Sequence, residues 1–215
     1  MGLAGEIPMK LTTTAFKDGE RIPGKYGFCV LTPEGVQMGE NINPDFSWSD
    51  VPARTQSFVF ICHDSDVPSK PDQVNKEGMT VPKDLPRVDF AHWVLIEIPA
   101  DSAGIKEGEF SSGITARGKP SGRVSQGTRQ GLNNYTDWFK GDENMEGDYY
   151  GYDGPCPPWN DSIIHHYHFT LYALDIDHIH VPEKFGRPEV LEAIKGHILA
   201  EVKITGTYTL NKDLA

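Results

Sequence analysis

Three histidines occur within four positions of one strand-like run, at His165, His166 and His168. Histidine titrates near neutral pH, so it can ligate a metal, act as a general base or donate to an anion. Successive side chains of a β-strand point to opposite faces. His165 therefore shares a face with Tyr167, whereas His166 and His168 lie on the other face. The cluster divides into two separate candidate sites.

The H-x-H pair of His166 and His168 is of the kind used by metal sites in β-barrels. A metal needs a third and usually a fourth ligand. His63, Asp64 or His92 could supply one, but no spacing in the sequence requires it. Metal binding through His166 and His168 is therefore one alternative, and no metal ligand is assigned.

Two acidic residues, Asp64 and Asp66, follow the apolar run at residues 57–62. Carboxylates after a strand are well placed to line the mouth of a pocket, although aspartates before proline-rich turns commonly cap their own backbone. His92 opens the next apolar run, at residues 92–98. A lone histidine in such a place is more often a core or rim residue than a ligand. Neither feature decides the function alone.

A hydrolase or lyase is a second alternative, with His165 or His92 as general base and Asp64 as the group that orients it. No G-x-S-x-G elbow accompanies these histidines, and Cys156, between two prolines, is better suited to shaping a loop than to nucleophilic attack. Residues 118–123 lack the strand and helix context of a phosphate-binding loop. The sequence predicts no nucleophile and no cofactor.

Period-two alternation predicts that β-strands position these side chains. One helix is predicted, from Pro188 to about Val202, with proline in its first turn and an apolar stripe along one side. Strands followed by a late helix indicate a mainly β, antiparallel sandwich rather than an alternating α/β domain. The predicted strands cover residues 9–12, 57–62, 92–98, 165–174 and the run that contains Val202, Ile204, Tyr208 and Leu210.

Residues 101–160 show no sustained apolar period and contain eleven glycines. Their aromatic content favours order, so we expect an irregular segment packed against the sandwich. No linker or repeat interrupts the chain, and a single domain over residues 1–215 is expected. The aromatic residues of this segment include Tyr135, Trp138, Phe139, Tyr149, Tyr150, Tyr152 and Trp159.

The charge balance, 31 acidic against 20 basic residues and a formal net charge of -11, disfavours nucleic acid as a partner. No run is apolar enough to span a membrane and no signal peptide is recognised, so a cytoplasmic location is the default expectation. The three cysteines, Cys29, Cys62 and Cys156, are then expected to be reduced thiols. Edge strands and the aromatic-rich segment need cover, for which a homodimer is one solution.

Three motifs, taken in order, resemble a known family: D-x-D-x-P at residues 64–68, H-W at 92–93, and G-P-x-P-P at 154–158 followed by H-x-Y at 165–167. They resemble the phosphatidylethanolamine-binding proteins, also called the Raf kinase inhibitor family. The resemblance extends from about Met9 to Leu210. Inserts at residues 74–90 and 133–161 are similar to those of its bacterial and archaeal branch.

The resemblance implies an antiparallel Greek-key β-sandwich with a small pocket for an anion, such as phosphate or a phospholipid head group. It implies a binding module without chemistry of its own; kinase regulation follows only by analogy with eukaryotic members, and no protein partner is identified. An aspartate beside an anion is reasonable if it accepts from a histidine N–H or from an ethanolamine ammonium. The implied pocket residues are Asp64, Asp66, His92, Gly154, Pro155, Pro157, Pro158, His165 and Tyr167.

One position departs from the family pattern, since His165-His166-Tyr167 stands where H-R-Y is usual. Residue 166 faces away from the pocket by strand parity. The change is therefore expected to spare the anion site and to alter a contact on the opposite face.

Overall fold

The computed structural model describes residues 7–215, which form short and long β-strands joined by extended loops. The helices are α1 (Tyr135–Trp138) and α2 (Arg187–Ala193). The strands are β1 (Lys10–Thr12), β2 (Cys29–Thr32), β3 (Gly35–Met38), β4 (Phe46–Ser49), β5 (Ser57–Pro68), β6 (Arg87–Pro99), β7 (Gly104–Ile105), β8 (Arg129–Gln130), β9 (His165–Leu174) and β10 (Ile198–Tyr208).

The strands pair antiparallel in a five-stranded sheet of order β10-β9-β5-β6-β8, a three-stranded sheet of order β1-β4-β7 and the hairpin β2-β3. Aromatic side chains pack the three-stranded sheet on the larger one. The ring centroids of Phe46 and Phe60 are 4.7 Å apart, and those of Trp48 and Phe58 are 5.4 Å apart. The predicted mainly β, antiparallel fold is confirmed, and its main core lies between these sheets.

Strand β9 alternates as the sequence predicts. His165, Tyr167 and Phe169 are buried on the inner face, whereas His166 is exposed on the outer face. Strand β9 pairs with β5 so that Asp64 lies opposite Tyr167, and β6 flanks β5 on its other side. This register brings side chains from three strands together at one end of the sheet.

The predicted helix from Pro188 to Val202 is too long. Helix α2 ends at Ala193, and Gly196 adopts a φ of 80°, the left-handed conformation that commonly ends a helix. The chain then enters β10, where Val202 pairs with Leu171 of β9. The spacing of the apolar residues fits the helical period and the strand period alike. Gly196 and the pairing of β10 with β9 show where the helix ends and the strand follows. Helix α2 covers the outer face of the large sheet, where Val190 packs into a second apolar cluster.

The irregular segment between residues 101 and 160 is packed against the sheets, as expected. Tyr135, Tyr149 and Tyr152 are buried in the main core. Trp138 and Trp159 stay exposed to solvent, with 50% and 38% of their surface accessible. This segment supplies one wall of the cavity described below.

The expectation of three reduced cysteines is wrong. Cys29 at the start of β2 and Cys156 in the proline-rich loop form a disulfide, and only Cys62 is a free, buried thiol. Sequence spacing could not reveal the pair because 127 residues separate its members. Among residues 7–215, no helix is long and apolar enough to cross a bilayer.

Candidate functional site

A cavity of about 640 Å³ opens at the end of the large sheet where β5, β6 and β9 meet. Of the residues implied by the family resemblance, Asp64, His92, Pro157, Pro158, His165 and Tyr167 line it. Its walls are mostly apolar and aromatic, and sequence reasoning missed most of them. They include Phe28, Phe90, Tyr135, Trp138, Phe139 and Met145.

His165 is held between two carboxylates at the floor of the cavity. Its Nδ1 lies 2.6 Å from Asp64 Oδ2, and its Nε2 lies 2.8 Å from Asp161 Oδ2. Carboxylate oxygens only accept, so both ring nitrogens carry protons and the imidazole is a cation. Burial lowers the pKa of His165, but the hydrogen bonds to Asp161 and Asp64 outweigh it and raise the pKa to about 9. The ring has no N–H left for a ligand.

Asp161 was missed by the sequence analysis, although it lies four residues before His165. Its carboxylate also receives a two-point contact from Arg87, with Nη1 to Oδ2 at 2.6 Å and Nη2 to Oδ1 at 3.0 Å. Burial raises the pKa of Asp161, but hydrogen bonds from His165 and Arg87 outweigh it and hold the pKa below its usual value. The buried side chains of Asp64, Asp161 and His165 form, with the partly buried Arg87, a cluster named here the charge cluster, with two charges of each sign.

The imidazole of His92 is fixed in one tautomer. Its Nδ1 lies 2.7 Å from the backbone oxygen of Asp153, and a carbonyl can only accept, so Nδ1 carries the proton. Burial lowers the pKa of His92, although the charge of Asp64 acts in the opposite direction. The ring is therefore neutral near pH 7, and Nε2 offers a lone pair to the cavity.

Asp153, which orients His92, is anchored from three directions. Its Oδ1 accepts from Asn41 at 2.8 Å and from Lys119 at 3.1 Å, and its Oδ2 accepts from Asn133 at 2.9 Å. These partners come from separate loops, which the buried carboxylate ties together. The position of the His92 ring thus depends on a network that no motif revealed.

Tyr167 contributes a hydroxyl that has no hydrogen-bond partner in the described part of the chain, although it is buried. Burial raises the pKa of Tyr167 well above its usual value, and the Asp64 carboxylate raises it further through its charge and through a contact that falls outside normal hydrogen-bond geometry, so the phenol stays protonated. Its ring lies edge-on to His92, with centroids 5.2 Å apart. A buried polar group without a partner costs stability unless something outside the protein satisfies it.

Three of the implied pocket residues do not line the cavity. Asp66 lies on the outer face, where its Oδ2 accepts from the backbone N–H and from Nδ1 of His166, each at 2.8 Å. Residue 166 does face away from the cavity, as strand parity predicts. The contact made where the family usually has arginine is therefore a pair of hydrogen bonds to Asp66.

Gly154 and Pro155 shape the loop behind the cavity wall instead of lining it. The carbonyl of Gly154 accepts from Tyr135 Oη at 2.6 Å, and the carbonyl of Pro155 accepts from the backbone N–H groups of Phe28 and Cys29. A β-carbon at Gly154 would lie 2.0 Å from the backbone oxygen of Tyr26. This loop is fixed by its backbone contacts and by the disulfide.

The described residues 7–215 contain no group of three or more His, Cys, Asp or Glu side chains placed to hold a metal. His168 is instead bound by two hydroxyls, with Nε2 2.9 Å from Ser65 Oγ and Nδ1 2.9 Å from Thr205 Oγ1. The metal alternative through His166 and His168 gains no support from this geometry.

Comparison with known protein families shows which family the chain belongs to. The family model described as phosphatidylethanolamine-binding protein matches residues 12–209. The chain belongs to the phosphatidylethanolamine-binding protein family. A UPF0098 protein of Methanothermobacter thermautotrophicus is 34% identical over 200 residues, covering 93% of this chain and 98% of the relative. The Escherichia coli protein YbhB is 32% identical, covering 94% of this chain and 100% of its own length.

Solved structures of the phosphatidylethanolamine-binding protein family share the fold. A homologue from Chlamydia trachomatis, 30% identical, covers 94% of this chain and 97% of its own with a TM-score of 0.62. Escherichia coli YbcL, described as a member of the mammalian family, has a TM-score of 0.64 at 24% identity, covering 94% of this chain and 99% of its own. The predicted family and its mainly β architecture are therefore confirmed.

Proposed function

We propose that the cavity binds a phosphate-bearing small molecule or lipid head group, with the phosphoryl group at His92 and Tyr167. The observation that carries the proposal is the buried, unpartnered hydroxyl of Tyr167 beside the free Nε2 of His92. A ligand that satisfies both atoms would remove the cost of leaving a polar group buried alone.

The walls suit a ligand with an apolar portion. The cavity volume of about 640 Å³ falls in the range of small-molecule sites, roughly 300–1,000 Å³. Phe90, Phe139 and Met145 offer apolar surface above the polar floor. An amphiphilic ligand would place its phosphoryl group on the floor and its carbon chain along these side chains.

The charges of the cavity favour a ligand that also carries an ammonium group. The lining residues of the described chain include no lysine or arginine, and the one cation, His165, donates both protons to carboxylates. Asp89 and Asp137 add carboxylates to the lining. A phosphoryl group must therefore be held by neutral groups, with the Tyr167 hydroxyl as donor and His92 Nε2 as acceptor of a P–OH proton, and a neighbouring ammonium could pair with the carboxylates. Phosphoethanolamine has both groups.

The hydrolase or lyase alternative is weakened by the same geometry. His165 cannot act as a general base while both of its ring nitrogens donate to carboxylates. His92 keeps a free nitrogen, but the described lining residues include no serine or threonine, and Cys29 and Cys156 are joined in the disulfide. Regulation of a protein partner, a cytoplasmic location and self-association stay predictions.

Titration calorimetry with phosphoethanolamine tests the proposal. Tyr167→Phe should weaken binding at least fivefold with little loss of stability, because the deleted hydroxyl has no partner in the protein. Tyr152→Phe is the matched control, since Tyr152 Oη donates to the Tyr26 carbonyl at 2.6 Å and should affect stability but not affinity. No binding by the wild type, or hydrolysis of phosphoesters that His92→Ala abolishes, would overturn the proposal.

A further inference from the structure

The disulfide between Cys29 and Cys156 forms part of the cavity wall, since both residues line the cavity. It joins two wall elements, the hairpin β2-β3 and the proline-rich loop that continues through Pro157 and Pro158. Provided that the proposed function holds, the position of this wall affects the affinity for the ligand. We propose that the disulfide is a redox switch, and that its reduction by a small thiol weakens ligand binding in a protein that stays folded.

The hairpin depends on the disulfide because it pairs with no other strand of residues 7–215. A two-stranded hairpin is marginally stable on its own. Met38, which lies opposite Cys29 in the hairpin and lines the cavity, keeps 58% of its surface exposed. The disulfide therefore fixes a part of the wall that no neighbouring strand holds.

The proline-rich loop depends on the disulfide as well, because proline cannot donate a backbone hydrogen bond. Hydrogen bonds anchor the loop at the carbonyl of Pro155 and at the N–H of Trp159. Between these two anchors, the backbone hydrogen bonds of the described chain involve neither Cys156 nor Pro157. The disulfide is therefore the bond that fixes this stretch of the wall.

Reduction should loosen the wall without unfolding the protein. The backbone N–H groups of Phe28 and Cys29 donate to the Pro155 carbonyl at 2.9 and 3.1 Å, and Tyr208 Oη donates to the Cys29 carbonyl at 2.7 Å. These bonds involve neither sulfur atom. Loss of the covalent link therefore frees a short stretch of loop and the side chains beside it, and a ligand that has to order them again binds with lower affinity.

The exchange begins at Cys156, which is partly exposed, whereas Cys29 keeps only 8% of its surface accessible. The thiolate of a small thiol attacks Cys156 Sγ, the bond between the two cysteine sulfurs breaks, and Cys29 leaves as a thiolate. A second thiol then attacks the mixed disulfide, which releases the small disulfide and leaves Cys156 reduced. Each displaced cysteine takes up the proton that an attacking thiol has given up. The small disulfide drives the same steps in reverse.

Titration calorimetry with phosphoethanolamine, on oxidised protein and on protein reduced with dithiothreitol, tests the switch. Reduction should weaken binding about fivefold, because the wall must be ordered again. By linkage, saturating phosphoethanolamine should shift the equilibrium between disulfide and dithiol toward the disulfide by the same factor. Alkylation followed by mass spectrometry measures that equilibrium in dithiothreitol redox buffers.

The double variant Cys29→Ser/Cys156→Ser should bind with the affinity of the reduced protein and should not respond to dithiothreitol. Cys62→Ala is the matched control, because this buried free thiol lies outside the cavity lining and its loss should leave the redox response intact. On reduction, amide hydrogen exchange should become faster at Cys156 and Trp159, whereas β9 should stay protected. This pattern separates a loosened wall from unfolding.

Equal affinity of the oxidised and the reduced protein would refute the switch and leave the proposed function standing. Faster exchange throughout β9 on reduction would refute the switch as well, because the lost affinity would then come from unfolding. Absence of phosphoethanolamine binding in both redox states would refute the proposed function and the switch with it. If the double variant does not fold, the wild type and Cys62→Ala decide.

Discussion

The charge cluster predicts a stability that falls at alkaline pH. The pKa of His165 rises from 6.5 to about 9 because its hydrogen bonds to Asp161 and Asp64 outweigh the effect of burial. At about 1.4 kcal/mol per pKa unit, this difference corresponds to between roughly 3 and 4 kcal/mol. The folded pKa lies above the unfolded one, so the stabilisation is complete below about pH 6.5 and is lost as pH rises through about 9.

Asp161→Asn is the perturbation that tests this reasoning. The amide removes one of the two charges that hold the His165 proton and leaves Arg87 without its carboxylate partner. The pKa of His165 should fall, and the decline in the free energy of unfolding between pH 6.5 and 9 should shrink to less than half of the wild-type decline. Urea denaturation over this pH range, with an NMR titration of the His165 ring, measures both quantities.

Asp66→Asn is the matched control, because it removes a carboxylate from the outer-face pair with His166 and leaves the charge cluster intact. Its pH profile should follow that of the wild type. Burial raises the pKa of the Cys62 thiol well above its usual value, so this thiol adds a loss of stability that begins only where the unfolded thiol ionises, at about pH 8.5, and that is common to the wild type and both variants. A wild-type profile that is flat from pH 6.5 to 9, or an Asp161→Asn profile with the wild-type slope, would refute the assignment.

Three further outcomes are expected. Replacing Cys29 and Cys156 by serine should lower the free energy of unfolding by up to about 4 kcal/mol, because the disulfide closes a loop of 127 residues. Denaturation with and without reductant measures this difference. Equal stability of the variant and the wild type would show that the disulfide contributes nothing. Burial lowers the pKa of His63 to about 4, so the free energy of unfolding should fall as pH drops below 6.5. In acid denaturation, His63→Phe should reduce that fall. An acid profile of the variant equal to that of the wild type would contradict this role of His63. Gly154→Ala should lower the melting temperature because its β-carbon would meet the Tyr26 carbonyl, and a wild-type melting temperature would exclude that clash.

The inner-face residues were predictable from the sequence because strand periodicity is local. Alternation along β9 separates His165 and Tyr167 from His166 without any knowledge of the fold, and the ordered motifs identify the family. The length of helix α2 was not predictable in the same way, since the apolar spacing runs on through β10 although the helix ends at Ala193, just before Gly196.

The electrostatic design of the site depends on contacts between residues distant in sequence. Arg87 reaches Asp161 across 74 positions, and His165 reaches Asp64 across 101. Pattern reasoning suggested that Asp64 could orient a histidine, but it could not show that a second carboxylate occupies the other nitrogen. The expected direct role of His165 as a donor to the ligand depended on that missing partner.

The central claim is that His92 and Tyr167 receive the phosphoryl group of a ligand. An NMR titration of protein labelled with ¹⁵N in its histidine rings, with phosphoethanolamine at pH 6, tests it most directly. We expect a saturable shift of the Nε2 signal of His92, with the signals of His166 and His168 on the outer face unchanged. A spectrum in which His92 stays still at millimolar ligand, or in which only the outer-face histidines move, would contradict it.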